Sequence, residues 1–131
     1  MCCVNKTHPL AKENSVRLET LADEPMVLFK NSFFQTERIL EAFSGVSCTP
    51  NVLLDTEQLS TVQNMISGNT AVGFMFGFLV KTMSDVVAIP LDPPMTTQVS
   101  LVWKKSRRIS ADMKNLIAFT RHLAESAEEL L

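Results

Sequence analysis

Pro25-Met-Val-Leu-Phe29, followed by Lys30-Asn-Ser32 and then by Phe33-Phe-Gln-Thr-Glu-Arg-Ile-Leu-Glu-Ala-Phe-Ser-Gly45, carries the plainest structural signal in the chain. Met26 to Phe29 is a short apolar run bounded by Pro25 on one side and by Lys30, Asn31 and Ser32 on the other, the pattern of a strand buried on both faces. Thr36, Ile39, Leu40 and Phe43 then fall at i, i+3, i+4 and i+7, one face of a helix. Gly45 stands where a left-handed C-terminal residue would close that helix.

The same rhythm continues downstream. Asn51 to Leu54 reads as a second strand that stops at Asp55; Asp55 with Gln58 resembles a capping box, and Leu59, Val62 and Ile66 stripe a helix that Gly68 closes. Ala71 to Met75 is a third strand, Phe76 to Met83 a short helix, and Val86 to Leu91 a fourth strand entering the turn at Asp92, Pro93 and Pro94. Upstream, Cys2 to Asn5 forms a short strand. The polar connector Lys6 to Asn14 follows, in which Pro9 forbids regular pairing, and then the helical turn Leu18 to Ala22, which Pro25 ends. Such alternation predicts an α/β fold with a mostly parallel sheet flanked by helices on both faces. The end of the chain departs from it. Thr97 to Lys105 alternates Val99, Leu101 and Trp103 as a half-buried strand does. Ser110 is an N-cap with Asp112 in the first turn, and Met113, Leu116, Ile117, Thr120, Leu123, Ala127 and Leu130 trace one face of a long final helix that needs a partner.

At 131 residues the chain has room for one domain and a real apolar core, and 46% hydrophobic with 20% charged residues excludes a disordered or fibrous protein. A net charge of −2 supplies no field for gripping nucleic acid. The basic group Lys104, Lys105, Arg107 and Arg108 reads as a solvated turn, as Glu125, Glu128 and Glu129 read as a solvent face. Cys2, Cys3 and Cys48 make neither a CxxC pair nor a metal set with histidine, which implies reduced thiols and no metal. No secretory start and no membrane-length apolar run is present, and a cytoplasmic protein is expected.

Several segments, in order, resemble the effector-binding domain of LysR-type transcriptional regulators: HPLA at His8 to Ala11, LADEP at Leu21 to Pro25 running into MVLF, and Gln63 to Phe76 with Gly68 before a buried strand. VVAIPLDPP from Val86 and VSLVWKK from Val99, then Ser110 and an amphipathic helix, complete the match. The resemblance spans about Val4 to Leu123. It implies a fold similar to type II periplasmic binding proteins, with two α/β subdomains joined by two crossing strands and an effector held between them. Met1 to Thr7 and Val99 to Lys105 would be the crossing strands and His8 to Gln98 the second subdomain. The last helix would belong mainly to the first subdomain, and the family's helix-turn-helix would be absent. The chain departs from the pattern at Asn69, Thr70 and Gly73-Phe74-Met75-Phe76, where a glycine-rich turn and a leucine-proline pair are usual. Added aromatics there make a bulkier pocket wall.

In open α/β sheets ligands collect outside the carboxyl ends of the strands, and the resemblance turns the loop Lys30 to Gln35 toward the cleft. Asn31, Ser32, Phe33, Phe34 and Gln35 are therefore the first candidates for ligand contact, the helix N-terminus behind them favouring an anion. The plainer reading is that Ser32 or Gln35 caps the helix and the phenylalanines pack in the core. Asp55 and Thr56, after the second strand, come next, with a capping role as the alternative for Asp55. Met75 and Phe76 come third, against ordinary core packing. His8 precedes Pro9 near the expected hinge, where an imidazole is in principle a pH sensor but more often a solvent-facing or backbone-bonded residue, and His122 has no acidic partner in view. No catalytic constellation, P-loop or dinucleotide fingerprint appears, so neither an enzyme nor a cofactor is expected. The resemblance implies a small, often anionic effector, self-association as dimer or tetramer through unpartnered apolar faces, and DNA contact only through the absent segment. A free-standing solute-binding module and a small α/β enzyme are the alternatives.

Overall fold

The computed structural model describes residues 1–96, 100, 102–104 and 110–128, the stretch 124–128 by backbone alone. Two compact units divide the chain at Met95 and Thr96. The first carries strands β1 (Cys2–Asn5), β2 (Met26–Phe29), β3 (Val52–Thr56), β4 (Val72–Phe74) and β5 (Val86–Ile89), with helices α1 (Leu18–Leu21), α2 (Phe34–Gly45), α3 (Leu59–Ser67) and α4 (Gly77–Val80) and a 3-10 turn at Pro9–Lys12.

The five strands form one sheet in the order β3-β2-β4-β1-β5. β2 pairs in parallel with β3 and with β4, whereas β1 runs antiparallel to both β4 and β5. The sheet is thus mostly parallel, as the alternation predicts, with the first strand inserted against the grain. Side chains alternate between two cores. Cys2, Val4, Met26, Leu28, Val72, Phe74 and Ile89 share one with Ile39 and Phe43 of α2, and Cys3, Val27, Met75 and Val86 share the other with Val62 and Ile66 of α3. The period of two along each strand is what feeds both helical layers at once. Gly73 lets α3 sit close: a Cβ there would meet the Ile66 Cδ1 atom at 2.8 Å.

Three expectations are corrected. Gly45 lies inside α2, and the left-handed residue is Ser47, at φ 56°; Cys48 N–H returns to the Phe43 carbonyl at 3.0 Å. The same closure ends α3, where Gly68 is the C-cap but Asn69 takes φ 53° and Thr70 N–H reaches the Met65 carbonyl at 3.0 Å. In both helices a bond from C″ back to C3 decides the end, and a polar residue tolerates the left-handed conformation. Asp55 is not a cap. It belongs to β3, because the ladder with β2 runs on through Leu28↔Asp55 and Phe29↔Thr56, and α3 starts three residues later than that box requires, with Gln58 at its N-cap. The helix expected over Phe76 to Met83 shrinks to Gly77–Val80.

The second unit holds α5 (Ala111–Glu128), whose N-terminus Ser110 caps: the Met113 N–H donates to its Oγ at 3.2 Å. Leu116, Phe119 and Leu123 on this helix are exposed. Of the strand expected over Thr97 to Lys105, residues 97–99, 101 and 105 lie outside those described, as do Arg107, Arg108 and Leu130; Val102 to Lys104 carry no regular structure.

Candidate functional site

Because β2, β3 and β4 are parallel neighbours, their carboxyl ends open on one edge of the sheet, and three connections gather there: Lys30 to Phe33, Glu57 to Gln58 and Met75 to Phe76. A sheet edge of this kind is where a doubly covered α/β fold leaves room for a ligand. The connections are tied to one another. Lys30 N–H donates to the Thr56 carbonyl at 3.0 Å, and the Gln35 side chain donates from Nε2 to the Phe74 carbonyl at 2.7 Å. The start of α2 is thereby pinned to the ends of both neighbouring strands.

Asn31, Ser32, Phe33 and Phe34 are all exposed at this edge. Neither Ser32 nor Gln35 caps α2. Phe33 occupies the N-cap position, its ring has no acceptor to offer, and Gln35 spends its amide on β4. The N-terminal N–H groups of α2 therefore keep their positive end toward the edge. Phe33 leans on Phe29, ring centroids 5.3 Å apart. Thr36, one turn in, is buried and donates its hydroxyl to the Phe29 carbonyl at 2.8 Å, which fixes how α2 leaves the strand.

Asn31 and Asp55 line a groove of about 310 Å3 whose walls include Leu28 and Phe29 of β2, Thr36 and Leu40 of α2, and Val52 of β3. Thr56 is half-buried, and its hydroxyl accepts from the Gln58 N–H at 3.1 Å, shaping the turn into α3. Met75 and Phe76 part company. Met75 is 2% exposed inside the α3-side core and offers no surface, because the two-residue period points it inward. Phe76 is exposed and stacks on Phe78, centroids 5.8 Å and planes 9° apart.

Two features of this edge escaped sequence reasoning. Lys30 Nζ lies 3.3 Å from Glu57 Oε1. Each is the first residue after a strand, so only the pairing of β2 with β3 puts them side by side. Phe78 was legible as an apolar residue within a glycine-flanked run, but nothing in the order of residues shows that it faces out.

Away from this edge, His8 caps the 3-10 turn by accepting the Leu10 N–H at Nδ1, 3.2 Å, and places Nε2 3.5 Å from Glu24 Oε2. Burial pushes the Cys2 thiol up to about 12, with the neighbouring Cys3 adding to it, and pushes Cys3 to about 11. Among the described residues no three His, Cys, Asp or Glu side chains gather as a metal site, and no helix is long and apolar enough to cross a membrane.

A family model for the LysR substrate binding domain matches residues 1–125. The chain is similar to the uncharacterized HTH-type transcriptional regulator YwbI of Bacillus subtilis (strain 168), 28% identical over 113 residues, which is 84% of this chain and 38% of that protein. It also resembles HinK, a LysR family transcriptional regulator from Pseudomonas aeruginosa, with a TM-score of 0.77 at 18% identity over 93% of this chain and 43% of the other. The effector binding domain of QuiR, in complex with shikimate, superposes with a TM-score of 0.72 at 20% identity, covering 95% and 60% of the two chains. The chain spans about two fifths of the length of the curated relatives it matches.

Proposed function

Since the chain belongs to the LysR substrate binding domain family, we propose that it is the effector-sensing lobe of a DNA-binding transcription regulator and not an enzyme. The observation that carries this reading is the carboxyl edge of the sheet. Three loops are cross-tied there by backbone and Gln35 hydrogen bonds, and they hold exposed Asn31, Ser32, Phe33, Phe34 and Phe76 without a nucleophile–base pair among them. An edge held so firmly by β2, β3 and β4 is a surface for binding, since a preorganised site loses less on ordering.

The small molecule touches the loop from Asn31 to Gln35, with Asp55, Thr56 and Phe76 flanking it, and a second lobe of the longer polypeptide closes over it. Residues 8–98 are the second regulatory subdomain, with 1–7 and 99–131 completing the crossing strands and the last helix. DNA is gripped by a helix-turn-helix outside these residues, the regulator works in the cytoplasm as a dimer or tetramer, and the effector reorients the lobes. Such control requires the effector to bind one arrangement more tightly than another, because equal affinity shifts nothing.

The test uses the intact gene product and a fragment of its own upstream DNA. A metabolite that alters operator affinity at least about fivefold, the low end of ordinary coupling between sites, and loses that effect in Phe33→Ala while effector-free DNA binding stays, bears the proposal out. A reading frame without a DNA-binding segment, or turnover that Ser32→Ala abolishes, sinks it.

A further inference from the structure

Independently of the effector reading above, we infer that the groove between α2 and β3 is a second site, on the flank of the sheet, and that its ligand is a small primary ammonium ion with a branched apolar body. The strand register shows how the groove arises. Met26 and Leu28 of β2 face the α2-side core, and their partners in the parallel ladder, Val52 and Asp55, stand on the same face of β3. α2 spends its buried residues Ile39 and Phe43 on β2 and the strands beyond it. Beside the outermost strand there remains a slot of about 310 Å3, with Leu28 and Thr36 buried at its floor, Leu40 and Val52 on its walls, and Asn31 and Asp55 exposed at its mouth. Leu40 stands six residues past Phe34, the first of α2, about 9 Å along a helix. The slot therefore runs back from the carboxyl edge, and neither Phe33 nor Phe76 lines it.

Its free polar groups are mostly acceptors. Among the described residues the carboxylate of Asp55 and the side chain of Asn31 have no hydrogen bond or ion pair, and the neighbouring Lys30 is held by Glu57 at 3.3 Å. Thr36 donates its hydroxyl proton to the Phe29 carbonyl at 2.8 Å, so only lone pairs are left on its oxygen. An ammonium group carries three protons and no lone pair, and the slot offers it Asp55, the Asn31 carbonyl oxygen and Thr36. A carboxylate meets a full like charge at Asp55. Against that charge the start of α2 sets about half a positive charge, and Asn31 sets one amide group. The apolar walls select the rest of the ligand. Leu28, Leu40 and Val52 present branched aliphatic chains, and the volume admits on the order of ten non-hydrogen atoms at about 30 Å3 each.

The 131-residue chain is titrated at pH 7 with isopentylamine, isopentyl alcohol and isovalerate, which set a positive, a neutral and a negative head on one kind of branched body. The methyl groups of Leu28, Leu40 and Val52 are followed by NMR. The amine is expected to shift all three and to bind about two- to fivefold more tightly than the alcohol, the worth of one exposed ion pair. The acid should bind more weakly than either. Asp55→Asn should bring the amine down to the level of the alcohol, whereas Val52→Ala should weaken both alike, about two- to fourfold. Asp55 and Val52 are exposed, so an unchanged unfolding temperature shows that each variant is folded. Alcohol or acid binding as tightly as the amine, or an amine preference that survives Asp55→Asn, overturns the ammonium class. Methyl groups that ignore all three probes overturn the site. If they respond instead to rising protein concentration, the slot is an interface between copies and the site is likewise overturned. The effector reading stands through each of these outcomes, because it rests on the loops at the carboxyl edge.

Discussion

β2 and β3 lie side by side, run parallel, each open on a run of three apolar residues and end at the same edge, yet one is sealed and the other open. Met26, Val27 and Leu28 are buried, while Val52, Leu53 and Leu54 remain 41%, 53% and 41% exposed. Position accounts for the difference. β2 has β3 on one side, β4 on the other, and α2 and α3 against its faces, whereas β3 is the sheet's last strand on that side. An apolar run therefore specifies a strand, and its place in the sheet specifies whether that strand is core.

Stability measurements can break this contrast. Met26→Ala removes a fully buried side chain from the α2-side core and should cost about 2–5 kcal/mol in denaturant unfolding. Leu53→Ala, on the open strand, should stay within about 1 kcal/mol, as exposed positions do. Equal losses at the two sites would mean that β3 is covered in solution, and the comparison would fail.

Thiol chemistry sharpens it from the neighbouring strand. Cys2 and Cys3 sit in β1 between β4 and β5 and are buried on opposite faces, whereas Cys48 is only half-buried after α2. Iodoacetamide at neutral pH should label Cys48 at least about a hundredfold faster than the adjacent pair, since the thiolate is the reacting form and burial suppresses it. The sign for stability follows from the same shift. Folded thiols at about 12 and about 11 lie above the ordinary 9.0, so their contribution is full below pH 9 and is lost as pH rises through 9 to 12, where only the unfolded chain ionises. Chemical denaturation at pH 8 and pH 10.5 should show the decline, and Cys3→Ala should flatten it.

The smallest effect lies at the helix ends. Ser47→Gly and Asn69→Gly each place the residue best suited to φ near +55° where the chain already bends that way, and each should stabilise by about 0.5–1 kcal/mol in thermal unfolding. Ser47 should respond more than Asn69, because asparagine tolerates the left-handed region better than serine.

Periodicity made much of this molecule legible. The bounds of β1 and β2, the buried face of α2 through Thr36, Ile39 and Phe43, the stripe Val62 and Ile66 of α3, and the Ser110 cap all follow from local spacing. Those features depend on residues within one or two turns of each other. The misread ones depend on partners far along the chain: Asp55 is strand because β2 extends the ladder past it, and Met75 is core because β4 turns it toward Val27 and Val62.

The candidate edge divides the same way. That a loop with two phenylalanines and a helix N-terminus follows a buried strand is written in Lys30 to Gln35, and so is the likeness to the LysR effector-binding family. Which side chains meet there was decided by assembly. Lys30 finds Glu57, Gln35 finds the Phe74 carbonyl, and Phe76 stacks on Phe78. Local order in the chain sets backbone preferences and hydrophobic period, which act over a few residues. The insertion of antiparallel β1 between β4 and β5, the exposure of β3 and the gathering of three loops on one rim arise only when separate segments compete for the same buried faces, and that competition is settled by the whole sheet at once.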